Sequence, residues 1–204
     1  MFEVIPRRSA MVLLSVLLVA GPMLIAIPTA SVANAASCGE WRWPVKTLSD
    51  SQRRQVDFDA RRITIRRLRR LDSPGPYDGM PRTGPVENRT YRVLAQVVGA
   101  KLSEDGDIHL VIAARTAKWK MMIVEFPAPR CVDKEFRRPE MRRARQQVLN
   151  NCGPISSSSF TDLRGRVTVQ GVGFWDNLHG LTREAPNGIE LHPVLSFRGT
   201  CSPR

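Results

Sequence analysis

Three features of the chain point to its fold class. Five strand-like runs are rich in valine and isoleucine. One amphipathic run sits between the third and fourth of them, and glycines lie inside the first and fourth. The order strand, strand, strand, helix, strand, strand predicts a mainly β protein, a five-stranded OB-like Greek-key barrel with one helix between strands 3 and 4. Glycine within a strand marks the tight coiling that barrel corners require. An irregular N-terminal arm precedes the barrel. The same elements also suit an α+β sandwich, but the position of the helix favours the barrel.

The first 35 residues read as a secretory signal peptide. Arg7 and Arg8 form a positive start, Met11 to Ile27 an apolar stretch, and Ala33-Asn34-Ala35 a small-residue cleavage site. A lipid-modified Cys38 is the weaker alternative. Residues 36–85 form the arm. They hold Trp41, Trp43 and eight arginines between Arg53 and Arg70, then the Pro- and Gly-dense segment 72–85. Thr64 is placed to cap a short helix carrying Leu68 and Leu71.

Residues 86–204 form the barrel domain. Thr90–Lys101 and Ile108–Ala113 alternate around the turn SEDGD and predict a hairpin. Lys120–Phe126 is the third strand, stopped by Pro127 and Pro129. Pro139 suits the first turn of a helix in which Met141, Ala144 and Val148 share a face. Arg137, Arg138, Arg142, Arg143 and Arg145 read as its solvated side. Arg164–Phe174, bent at Gly171 and Gly173, is the fourth strand, and Ile189–Phe197 the fifth.

Composition narrows the function. The chain carries a net charge of +12, and loss of Glu3, Arg7 and Arg8 with the signal leaves +11. Such a surface attracts polyanions: nucleic acid, anionic lipid headgroups or phosphate-rich wall polymers. All four cysteines, Cys38, Cys131, Cys152 and Cys201, follow the signal. An even count in an exported chain predicts two disulfides. Cys38–Cys201 with Cys131–Cys152 is the favoured one of three pairings. No Walker loop, Gly-x-Ser-x-Gly or dinucleotide fingerprint is present.

The histidines His109, His179 and His192 each lie near an acid: Asp107, Asp176 and Glu190. Residues two apart on a strand share a face, so Asp107 with His109, and Glu190 with His192, are candidate pairs. Imidazole and carboxylate together suit a divalent metal ion able to activate water. The candidate catalytic residues are therefore His109, His179, Glu190 and His192. The plainer alternative is a structural network. For polymer binding, Lys118, Trp119 and Lys120 form a basic-aromatic cluster before the third strand, with Arg164 and Arg166 on the fourth.

The hairpin AQVVGAKLSEDGDIHLVI and the segment KMMIVEFP are similar to the opening of staphylococcal-nuclease-like (thermonuclease) OB-folds. That resemblance implies Asp107 and Glu125 as metal ligands. It departs from the family in carrying Lys120 for arginine, Glu125 for aspartate, and Ala128 in place of a water-positioning glutamate. The C-terminal blocks GVGF, HG and APNGIELHP resemble those of uncharacterised exported bacterial proteins.

The expected function is that of a secreted, disulfide-stapled OB-fold binding protein for an anionic polymer. The second reading is a metal-dependent nuclease or phosphodiesterase-like hydrolase. The third is an envelope partner-binding role through Trp41 and Trp43.

Overall fold

The arm is more ordered than the sequence suggests. In this computed structural model, residues 1, 38, 39, 41–75, 79–132, 136–180 and 182–204 are described; the expected signal peptide, apart from Met1, lies outside them. Trp43–Thr47 form a short helix, α1, and Asp57–Arg62 a strand, β1. Ile65–Leu68 form a second short helix, α2, whose first turn is capped as the sequence predicts: Thr64 Oγ1 accepts from Arg67 N at 3.2 Å. β1 lies outside the five predicted strands. Its sequence DFDARR lacks apolar alternation because it lies at a largely exposed edge and is held by backbone pairing.

The predicted strands are all present. They are β2 (Arg89–Leu102), β3 (Ile108–Ala114), β4 (Ala117–Phe126), β5 (Thr161–Trp175) and β6 (Ile189–Pro203). The sheet therefore has six strands, ordered β1-β2-β3-β4-β6-β5, and β2 also pairs with β5. The hydrogen bonding of β2, β3, β4, β6 and β5 is thus ring-like. β4 and β6 run parallel and meet in register at Val124 and Leu191. The register shifts at Val97/Gly99, Gln170/Gly171 and Gly171/Gly173 fall on the strand glycines. At Gly173 a Cβ would stand 2.5 Å from Val86 O, so only glycine admits that close crossing.

The 15-residue helix α3 (Arg138–Cys152) falls between β4 and β5 and packs mainly on β6. It buries Met141, Ala144, Val148 and Cys152. Inside the sheet, Leu110, Ile112, Met122, Phe126 and Phe197 are wholly buried, each stabilising the fold by roughly 1.5–3 kcal/mol.

The disulfides differ from the favoured pairing. Cys38 bonds Cys131, and Cys152 bonds Cys201. The last turn of α3 lies against the end of β6, which brings Cys152 to Cys201. That β6 runs on to Pro203, beyond the predicted Phe197, is part of the same contact. The arm instead docks beside the Asp105 turn, where Gly39 lies close to the Asp105 carboxylate, and so meets Cys131. Two disulfides suggest an oxidising, extracytoplasmic environment.

Candidate functional site

Each acid of the buried cluster is delivered by a different part of the sheet. Asp107 ends the turn before β3, and Glu125 lies near the end of β4. Asp176 follows β5, while Glu190 and His192 open β6. All five are buried, exposed by 6 % or less. The Asp105-Gly106-Asp107 turn fixes the first: Asp105 Oδ1 accepts from Asp107 N at 3.0 Å, and Asp107 Oδ1 accepts from Ala128 N at 2.8 Å. The Asn187-Gly188 turn fixes Asp176, whose N–H donates to Gly188 O at 2.8 Å. Gly188 has φ +69, and a Cβ there would lie 2.3 Å from Asp176 O.

Glu125 is the hub. His109 is its cross-strand partner, and His109 Nε2 stands 3.1 Å from Glu125 Oε1. His192 Nδ1 is 2.9 Å from Glu125 Oε2, and its Nε2 is 3.4 Å from Asp107 Oδ2. The contacts therefore run across strands. Asp107 meets His192 and Glu125 meets His109, in place of the expected pairs Asp107 with His109 and Glu190 with His192. His179 lies at the rim, its Nε2 3.3 Å from Asp176 Oδ2.

The sequence reading missed Lys46. It comes from α1, and its Nζ is 3.8 Å from Asp176 Oδ1. Trp41 packs edge-on against Phe174 at 5.9 Å, and Lys46 Nζ lies 5.3 Å from the Phe174 ring centre. The tryptophan expected to meet a partner thus helps to cover the cluster. Beside it, Arg42 and Glu87 form a buried bidentate ion pair at 2.8 and 2.6 Å. Glu87 also accepts from Trp175 N and Thr83 N.

Burial opposes charge throughout, and the partners decide which groups keep it. Burial lifts the Glu190 carboxyl well above the usual range, and neighbouring Glu125 and Asp176 lift it further. Burial works the same way on Glu125, but His109, Lys46 and His192 outweigh it and hold that carboxyl well below the usual range. Burial works against a charged His192, yet Glu125 and Asp107 raise its pKa. Lys46 is likewise raised, against burial, by Glu125, Asp176, Glu190 and Asp107.

Two groups present ligand atoms within 4.8 Å of one another: Asp107, Glu125 and His192, and Glu125, Asp176 and Glu190. Asp107 Oδ2, Glu125 Oε2, Glu190 Oε2 and both ring nitrogens of His192 are buried without an aligned hydrogen bond. Carboxylates with one imidazole form a donor set suited to a first-row divalent ion. The flanking His109 and His179 side chains reach solvent, exposed by 28 % and 58 %.

A second feature covers the outer face of β2, β5 and β6. Three adjoining cavities of about 420, 490 and 820 Å³ share Leu94, Arg115, Arg166, Thr168 and Arg198 between them. Seven arginines line them: Arg62, Arg66, Arg92, Arg115, Arg164, Arg166 and Arg198. Among the described residues, no acid and no aromatic ring does. None of the seven forms an ion pair among the described residues. The structure thus places Arg164 and Arg166 on this face. Lys118, Trp119 and Lys120 lie apart from its lining; Trp119 is 69 % exposed, with Lys120 Nζ 4.5 Å from its ring centre.

Compared with protein-family models, with curated proteins and with solved structures, the chain matches none of them.

Proposed function

We propose that this protein is a secreted OB-like binding protein whose arginine face holds an anionic polymer. One observation carries the reading: among the described residues, seven arginines and no acid line three adjoining cavities on one side of the sheet. Guanidinium groups present paired donors to phosphate or sulfate oxygens. Without an ion pair among the described residues, they are free to release the counterions of a polyanion. The test is equilibrium binding of labelled heparin and labelled oligo(dT) from low to moderate salt. With four or five phosphates engaged, log K falls with log[salt] at a slope of about −3 for the single strand. Absence of binding to both polymers at low salt would sink the proposal.

A second reading, a metal-dependent hydrolase, is favoured by the unaligned ligand atoms of Asp107, Glu125 and His192. It requires nucleic-acid cleavage by the purified protein with manganese or zinc that stops on chelation and in Glu125→Gln. Intact nucleic acid after incubation with either ion would remove it.

A further inference from the structure

The arginines on this face are not scattered. β5 presents Arg164, Arg166, Thr168 and Gln170 outward in succession, at alternate residues of one strand. Arg198 on β6 pairs in register with Thr168, and Arg92 on β2 pairs with Gln170. Arg62 on β1 pairs in turn with Arg92. Arg115 stands by Leu94, which is opposite Thr168. Each of four consecutive rows along β5 therefore carries at least one guanidinium. Two residues of strand span about 6.7 Å, so the ladder advances in steps of that length and runs about 20 Å from end to end.

A row of evenly stepped cations matches a polymer with one phosphate per step and little else to recognise. A drawn-out phosphodiester chain whose phosphates are joined through O–C–C–C–O fits that step. Both a nucleic-acid strand and a 1,3-linked polyol phosphate have this backbone. What separates them is the base. Proteins that hold single-stranded nucleic acid set aromatic rings under the bases, and among the described residues no ring lines this face. Between the arginines stand Gln96, Thr168, Gln170, Thr200 and Ser202. Their hydroxyls and amides suit the free hydroxyls of a polyol. The extracytoplasmic setting that the disulfides suggest accords with an envelope polymer of that kind.

We infer that the ladder along β5 is a site for one extended, base-free polyol-phosphate chain, recognised through its phosphates. The inference rests on the polyanion-binding reading and specifies its ligand. The two fail differently in one experiment. The oxidised protein is titrated at fixed salt with poly(glycerol phosphate), with oligo(dT) of equal phosphate number, with duplex DNA and with heparin. Poly(glycerol phosphate) should bind at least as tightly as oligo(dT), to within about threefold, and more tightly than duplex. The variant Arg164→Gln/Arg166→Gln/Arg198→Gln, with an unchanged melting curve, should lose at least about tenfold for it. Oligo(dT) or duplex bound more than about threefold tighter than poly(glycerol phosphate) would overturn the inference and leave polyanion binding standing. An unchanged affinity in the folded triple variant would also overturn it. Binding of none of the four polymers would overturn both.

Discussion

The proton held by Glu190 makes the stability of this fold fall as pH rises. The Glu190 carboxyl is buried and its pKa lies well above the ordinary value, through burial and the neighbouring Glu125 and Asp176. Its folded-state pKa exceeds that of the unfolded chain. Stability is thus complete below about pH 4.3, where both states hold the proton, and is lost as pH rises toward the folded pKa. Each proton held only by the fold removes about 1.4 kcal/mol per pH unit. For a chain of this size that lowers Tm by about 3–5 °C per unit. His192 behaves alike above about pH 6.5, since its pKa too is raised. Glu125 runs the other way: its contribution is present above about pH 4.3 and is lost as pH falls toward its depressed pKa. The assay is calorimetric melting from pH 4 to 9 in chelator, for the protein and for Glu190→Gln. Glutamine has the shape of the protonated acid and cannot ionise. The variant should melt near the parent at about pH 4 and gain on it by about 3–5 °C per unit as pH rises from there toward the folded pKa. A variant that falls progressively below the parent as pH rises would refute the reasoning.

Other outcomes follow from the same structure. Glu87→Ala leaves the Arg42 guanidinium buried without its carboxylate and should cost about 3–5 kcal/mol, read from denaturant midpoints at constant m. Non-reducing peptide mapping should recover Cys38–Cys131 and Cys152–Cys201. Loops of 93 and 49 residues imply a cost of about 4 kcal/mol or slightly more for losing either bridge by Cys→Ser exchange. Gly188→Ala drives a Cβ into Asp176 O at a positive φ, and a drop of about 2–4 kcal/mol in a urea melt is expected. Trp119→Ala, at an exposed ring off the arginine face, should leave polymer affinity within about twofold and the melt unchanged.

The strands were readable because their chemistry is local. Val93, Ala95 and Val97 alternate inward on β2, and Met141, Ala144 and Val148 repeat at helical spacing on α3. The glycines at 99, 171 and 173, expected to mark tight coiling, coincide with the register shifts. β1 was not readable, since DFDARR gains its place from backbone pairing with β2 alone. The site was half readable. Asp107, His109, Glu125, Glu190 and His192 could be singled out, but same-strand spacing paired them wrongly. Their contacts are cross-strand and depend on a register no short window contains. Lys46 gave no signal, because a lone lysine in an arm looks solvated until Trp41 and Phe174 enclose it. The arginine face was visible only as Arg164 and Arg166. Arg92 and Arg198 join them through pairing between strands far apart in sequence.

The most direct test of the account is where the polymer binds. Salt-dependent affinity for poly(glycerol phosphate) would be measured for the protein, for Arg164→Gln/Arg166→Gln/Arg198→Gln and for Lys118→Gln/Trp119→Ala/Lys120→Gln, all with matching melts. The account predicts that the arginine variant loses affinity and that its slope of log K against log[salt] flattens by about 2, three phosphate contacts at about 0.7 each, while the other variant keeps the parental slope. A flattened slope in the Lys118/Trp119/Lys120 variant with the arginine variant unchanged would contradict it.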